Sequence, residues 1–322
     1  MSGGFWASRR VLVTGGSGFV GTVLCRKLDA LGATDVVAPR SADYDLTRAD
    51  DVEKLFASVE PDLVIHLAAQ VGGIGANMAR PADLYLSNLL MGTHVIEGAR
   101  ARSTRTTVIL GTICSYPKFT PVPFKEESLW DGYPEETNAP YGLAKKALLV
   151  HAQANRLEYG QRFVYLLPTN IYGPGDKFDP SVSHVIPALI KKCVEAKERG
   201  APELEVWGTG MATREFLFVD DAAEGILLAA ERYDGDEPVN LGAGREVAIK
   251  DLAETISRLV GYEGSLRWDP SKPDGQPRRL LDTSRAADRF GFVASTPLET
   301  GLRLTIEWYL THRTEAERPP AH

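Results

Sequence analysis

The sequence predicts an α/β protein, with a Rossmann-like doubly wound parallel sheet and a smaller C-terminal α/β substrate domain. Three observations lead there. Short apolar runs alternate with longer helical patterns through the first half of the chain, the pattern of a parallel sheet covered by helices on both faces. A glycine-rich turn, TGGSGFVG, lies directly between the first strand and the first long helix. Beyond Tyr172 the texture changes to Gly- and Pro-rich loops, single helices and isolated strands.

The elements follow in order. The first strand is Val11–Val13, and the next helix, TVLCRKLDALG, spaces Val23, Leu24, Leu28 and Leu31 helically before stopping at Gly32. A short strand at Asp35–Ala38, an acidic helix at Ala49–Val59 and a buried strand at Leu63–Ala69 come next. A helix around Ala82–Ala101 leads to the strand TTVILG, and one from about Pro140 to Tyr159 leads to FVYLLP. LEVWG and LRW stand apart as later strands, while Glu215–Ala230 with VNLG reads as a return to the first domain. The expected division is 1–171 plus about 215–243 for the dinucleotide domain, and 172–214 plus 244–322 for the substrate domain.

With 322 residues the chain is long enough for about two domains, and 36 Lys+Arg against 43 Asp+Glu leave a net charge of −7. That balance argues against a nucleic-acid partner, which selects a basic face, but allows a small anion held by a few local cations. Cys25, Cys114 and Cys193 are too few and scattered for a disulfide framework or a zinc site, so no metal is expected. The start, MSGGFWASRR, lacks the apolar region of a signal peptide, and no apolar run is long enough to span a bilayer. A cytoplasmic protein without membrane contact is expected.

Gly15, Gly16, Gly18 and Gly21 fit both G-x-x-G-x-x-G and G-x-G-x-x-G. Such glycines let the backbone turn tightly and approach a pyrophosphate whose charge rests on a helix N-terminus. After the second strand, a carboxylate would hold the ribose 2′-hydroxyl of NAD and an arginine the 2′-phosphate of NADP. Here the strand runs into Pro39-Arg40, with no carboxylate until Asp43, so NADP(H) is favoured over NAD(H). The alternative role for Arg40 is a solvated surface cation. Asp45 and Leu46 fall near the adenine.

Tyr141 and Lys145 form Y-x-x-x-K, which puts phenol and ammonium on one helix face. The ammonium is expected to lower the pKa of Tyr141 and make it usable in proton transfer near neutral pH. Taken together, TGGSGFVG, HLAA, GT-x-C and YGLAK resemble the extended short-chain dehydrogenase/reductase superfamily over almost the whole chain. The longer motifs AAQVGGIGAN, GTICSYPK, LPTNIYGPGDKF, SHVIPAL, VWGTG, TREFLFVDD and KPDGQPRRLLD resemble the GDP-L-fucose synthase family. Members of that family convert GDP-4-keto-6-deoxy-D-mannose to GDP-L-fucose, epimerising C3 and C5 and then reducing C4.

The resemblance implies roles for named residues. Tyr141 would donate the proton in reduction, Lys145 would tune it and hold the nicotinamide ribose, and Thr112 would orient the carbonyl. Cys114 would be the epimerisation base and His184 the acid, against the plain readings of a buried strand-end cysteine and a helix-start histidine. Asn170, Lys192, Trp207, Arg214 and Asp274 would contact the GDP-linked 4-keto sugar, although Lys192 also fits a solvated helix face and Trp207 a core aromatic. The expected cofactor contacts are Gly15, Ser17, Gly18, Phe19, Val20, Gly21, Arg40, Asp45, Leu46, Leu67, Ala68, Ala69, Leu110, Tyr141, Lys145, Pro168, Asn170, Ile171 and His184. Thr112 departs from the family, which usually carries Ser there, and with Ile113 it narrows the site.

Other residues read blandly: His66 as a satisfied core histidine, Cys25 and Cys193 as packing, and Asn88 as a holder of nearby backbone. The resemblance implies a homodimer, and the stripe Leu143, Ala147, Leu148 and Val150 is either core or a dimer seam. Two other readings compete. One is an epimerase or reductase of the same fold acting on another nucleotide 4-keto sugar, such as a GDP-6-deoxy-heptose; the other is a non-catalytic nucleotide sensor, which this chain opposes by keeping every fingerprint residue.

Overall fold

The computed structural model describes residues 3–318 apart from Ser181 and Pro273, so Pro273 of the KPDG motif lies outside the described residues. The first half runs α1 (Gly3–Ala7), β1 (Arg10–Thr14), α2 (Phe19–Ala30), β2 (Asp35–Val37), α3 (Ala49–Val59), β3 (Leu63–His66), α4 (Ile74–Ala79), α5 (Pro81–Ala101), β4 (Thr106–Leu110), α6 (Ala139–Tyr159) and β5 (Arg162–Pro168). The second half adds β6 (Asn170–Tyr172), α7 (Val185–Glu198), β7 (Glu203–Trp207), β8 (Thr213–Phe218), α8 (Val219–Arg232), β9 (Val239–Leu241), β10 (Glu246–Ala248) and α9 (Ile249–Val260). It ends with β11 (Ser265–Asp269), α10 (Ser284–Phe290), α11 (Leu298–Thr311) and α12 (Arg313–Ala316).

The main sheet has the order β2-β1-β3-β4-β5-β9, with every neighbouring pair parallel. Side chains alternate across it, as a strand's period of two requires. Val11, Val13 and Ile65 face a core shared with α2, α8 and α10, while Leu12 and Val64 face α3 and α5. The chain leaves β1 for β2 on one side and returns to β3 on the other. This is the reversal at whose carboxyl ends α/β sheets bind ligands.

A smaller three-stranded sheet, β10-β8-β6, and a pair, β11-β7, build the remainder with α7, α9 and α11. β8 lies between the two cores: Leu217 joins the first, and Phe216 and Phe218 join the second. Glu215, fully buried in the same strand, accepts from the amides of Gly244 (2.7 Å) and Leu281 (2.9 Å). Burial pushes the Glu215 carboxyl up to about 7 despite those donors.

Three differences from the sequence reading have physical causes. The third strand ends at His66, not Ala69, because the glycine turn crosses in front of it: a Cβ on Gly15 would lie 2.7 Å from the Ala68 amide. A short helix, α4, occupies Ile74–Ala79, a stretch to which the sequence reading assigned no element. The stretch from Glu215 begins as β8, paired with β6 and β10, and packing against α2 starts only with α8. Among the described residues no helix is long and apolar enough to cross a membrane.

Candidate active site

The glycine turn is shaped by contact. Gly15 takes φ +74°, and a Cβ on Gly21 would fall 2.1 Å from the Gly15 carbonyl oxygen, so only glycine lets α2 start this close to β1. Ser17 and Gly18 remain exposed at the mouth, and the first-turn amides of Phe19, Val20 and Gly21 have no intrahelical acceptor. The resulting cradle fits a pyrophosphate. Arg40 is exposed beyond β2, and its guanidinium makes no hydrogen bond or ion pair with a described residue. Asp45 is engaged locally, its Oδ1 accepting from the amide and hydroxyl of Thr47, and Leu46 is buried. Leu67, Ala68 and Ala69 follow β3, Leu110 ends β4, Pro168 ends β5, and Asn170 and Ile171 open β6. Asn88 fixes the turn after β3 by exchanging hydrogen bonds with the Gln70 backbone, at 3.1 and 2.8 Å.

The catalytic candidates meet at the carboxyl edge of β4. Thr112 begins a single 3₁₀ turn, Ile113–Ser115, and its Oγ1 accepts from the Cys114 amide at 3.2 Å. Its side chain also lies near the Tyr141 hydroxyl and slightly favours its charged form. Gly142 allows this approach, since a Cβ there would lie 2.3 Å from the Cys114 carbonyl oxygen. Tyr141 does not follow the sequence reading: burial first, then Cys114, holds its hydroxyl well above the ordinary tyrosine value. At neutral pH it is therefore a proton donor and not a phenolate. Lys145 is only 2 % exposed, and desolvation lowers it to about 8. Its ammonium has no hydrogen-bond or ion-pair partner among the described residues, which fits a group awaiting the hydroxyls of a bound ribose.

His184 is the residue before α7, and its side chain makes no capping bond. It is exposed at the surface, and the protein around it and then the Lys177 charge lower its pKa. It makes no hydrogen bond to the Thr112–Cys114–Tyr141 group. The segment before it is joined to the AAQVGGIGAN loop, whose Gly73 amide donates to the Val182 carbonyl at 3.3 Å.

The substrate-side candidates form a second group. Trp207 is 60 % exposed, not a core aromatic, and has the ammonium groups of Lys192 and Lys272 at 5.4 and 5.5 Å from its ring centre. Asp274 accepts from the Thr209 amide (2.8 Å) and hydroxyl (2.6 Å), fixing the loop that follows Trp207. Arg214 donates to the Asp274 and Gln276 carbonyls, and Asn170 Nδ2 donates to the Glu215 carbonyl at 3.0 Å. An exposed indole beside two cations suits a nucleotide base above phosphates.

Residues 11–242 match the NAD dependent epimerase/dehydratase family. The chain is 45% identical over 303 residues to GDP-L-fucose synthase 1 of Arabidopsis thaliana, covering 94% of each protein. It belongs to the GDP-L-fucose synthase family. Among solved structures, it resembles a GDP-L-fucose synthetase from Naegleria fowleri bound to NADP, with a TM-score of 0.88, 28% identity and 97% of each chain covered. It also resembles a GDP-6-OMe-4-keto-L-xylo-heptose reductase from C. jejuni, with a TM-score of 0.89, 27% identity, and 94% of this chain and 98% of that one covered.

In this GDP-L-fucose synthase family member, sequence reasoning overlooked Gln276 and Arg279, both buried at the catalytic group. Their signal was the rest of KPDGQPRRLLD, from which only the aspartate had been singled out. Of the other cysteines, Cys193 is buried and pushed up to about 12, and Cys25 is raised by burial behind Gly16. Leu148 is core, packed where Gly92 has no side chain, while Ala147 and Val150 are exposed.

His66 is not fully satisfied. Its Nδ1 hydrogen-bonds Thr14 Oγ1 at 2.7 Å, but Nε2 is buried without a partner. Burial and then the Lys145 charge lower its pKa to about 3. The native state thus keeps His66 neutral while the unfolded chain takes up a proton below its ordinary value. The stabilisation this gives is present above that value and lost as pH falls toward 3. Between pH 7 and pH 5 the loss should be about 2 kcal/mol. Urea titrations of wild type and His66→Gln test this, and equal pH slopes would remove His66 as the source.

Proposed function

We propose that the protein is an NADPH-dependent enzyme that converts GDP-4-keto-6-deoxy-D-mannose to GDP-L-fucose by 3,5-epimerisation and 4-reduction. The observation that carries this reading is the convergence of Thr112, Cys114, Tyr141 and an unpaired, buried Lys145 beside the Gly15–Gly21 cradle. The 45% identity to a plant GDP-L-fucose synthase, against 27% to the heptose reductase, favours the fucose substrate over a heptose.

A 4-keto group acidifies the protons at C3 and C5, because the carbanion delocalises onto the carbonyl oxygen. In each of the two epimerisations Cys114 takes the proton through its sulfur, and His184 delivers one to the same carbon from the opposite face. The hydroxyls of Thr112 and Tyr141 meet the enolate oxygen, and Tyr141 later gives its proton to that oxygen as C4 is reduced. Lowering of the His184 pKa disfavours its acid form, and a thiolate base is lost as pH falls, so epimerisation should pass through a maximum and decline on both sides of it. The glycine cradle, Arg40 and Lys145 would hold NADPH, which would supply the hydride. The unpartnered Arg40 guanidinium supports the phosphorylated cofactor over NADH.

The division into dinucleotide and substrate domains at 1–171 plus 215–243 and at 172–214 plus 244–322 belongs to the same proposal, with the reaction in the cleft between them. So does a cytoplasmic homodimer joined through α5 and α6, whose exposed Leu86, Ala147 and Val150 provide apolar surface. The test is incubation with GDP-4-keto-6-deoxy-D-mannose and NADPH or NADH in D2O, with products identified by NMR. GDP-L-fucose carrying deuterium at C3 and C5, formed faster with NADPH, is the expected result. Turnover of a different keto sugar but not this one would sink the assignment.

A further inference from the structure

Cys114 has a neighbour from the far end of the chain. Arg279 is 8 % exposed, and its Nη1 lies 3.7 Å from the Cys114 Sγ, within hydrogen-bonding range of sulfur. Its Nε donates to Gln276 Oε1 at 2.9 Å, and Gln276, itself buried, donates through Nε2 to the Lys118 carbonyl at 2.7 Å. Lys118 belongs to the loop that leaves Cys114. Arg214 grips the same turn from the other side through the Asp274 and Gln276 carbonyls. The guanidinium is therefore fixed along one edge by a neutral amide, leaving the other edge for the sulfur.

Charge completes the argument. Among the described residues no carboxylate forms an ion pair with Arg279, and Glu135 senses its charge only through space. A buried cation without a paired anion is costly, and truncating such a pair destabilises strongly. The group it donates to is the one that must carry negative charge to act as a base.

We propose that Arg279 is the counter-ion of a Cys114 thiolate, and that Gln276 is the positioning residue that aims it. The catalytic part of this proposal rests on the epimerase reading above. The thiol proton passes to water as the thiolate forms. In the base step the S–H bond forms and the sugar C–H bond breaks, and the electron pair moves onto the 4-keto oxygen. The guanidinium stays charged throughout, and no redox change occurs.

Two measurements test this. The first needs no substrate: iodoacetamide labelling of the Cys114 peptide at neutral pH, read by mass spectrometry. Labelling should slow at least about tenfold in Arg279→Gln, at least about threefold in Gln276→Ala, and less than about threefold in Arg279→Lys. The second is deuterium exchange at C3 and C5, where Arg279→Gln should lower kcat about 100-fold with KM changed less than about threefold. Labelling at the wild-type rate in Arg279→Gln and Gln276→Ala would overturn the proposal. So would raised KM with unchanged exchange kcat, which would make Arg279 a ligand of the substrate diphosphate alone. Should Arg279→Gln fail to fold, judged by its thermal melt, Gln276→Ala decides by the labelling criterion. Failure of wild type to turn over GDP-4-keto-6-deoxy-D-mannose would sink the fucose reading and leave the labelling result standing.

Discussion

Replacing Tyr141 with Phe is expected to lower the rate of C4 reduction by about 10²–10⁴-fold while NADPH binding changes little. In the proposed reaction the phenol would protonate the keto oxygen, because it lies near Thr112 and is held in its neutral form by burial. Thr112, in the proposed reaction, would only orient the carbonyl, its hydroxyl being a far weaker acid. The check is NADPH oxidation at saturating substrate, alongside cofactor affinity from fluorescence. A reduction rate within threefold of wild type would remove Tyr141 from the role of acid. The same experiment has a pH arm. Lys145 is lowered to about 8, so its ammonium is charged below that pH and lost above it. Reduction should therefore decline above about pH 8, while Tyr141 itself keeps its proton there.

Replacing Cys114 with Ser should separate the two half-reactions. A hydroxyl occupies nearly the same space, and its oxygen can still lie near Arg279, but it holds its proton at neutral pH and is a poor base. Deuterium exchange at C3 and C5 should fall by about 10²–10⁴-fold. Reduction of a 4-keto sugar supplied already epimerised should stay within about fivefold, because burial, the larger cause, keeps the proton on Tyr141 even when the sulfur is gone. Exchange at the wild-type rate would eliminate Cys114 as the base. An equal fall in both reactions would instead mean that the substitution damages the shared site.

Much of this architecture was legible because it rests on local signals. The glycines that follow the first strand report a turn that no larger residue could make, and Gly15 and Gly21 meet backbone atoms that leave no room for a Cβ. Helix α3 was legible from its acidic first turn and the spacing of Val52, Leu55, Phe56 and Val59. The pairing of Thr112 with Tyr141 could be anticipated only through family motifs, since a 3₁₀ turn and a helix 27 residues later meet in space and not in sequence. Arg279 was illegible for the same reason, at a separation of 165 residues from Cys114. The direction of the Tyr141 shift was misread because spacing reveals the neighbouring ammonium but not the depth of burial, and burial dominates.

The place of β9 has a consequence for how the chain is made. This strand, Val239–Leu241, completes the main sheet against β5, and α8 and α10 close the core behind it. A ribosome releasing the chain from its N-terminus therefore exposes an open edge on β5 until these later residues emerge. Leu166, Leu167 and Pro168 wait there for partners that lie more than 70 residues downstream. A nascent chain halted near residue 200 should bind chaperones through that edge and through the uncovered face awaiting α8, whereas one halted beyond Phe290 should be protease-resistant.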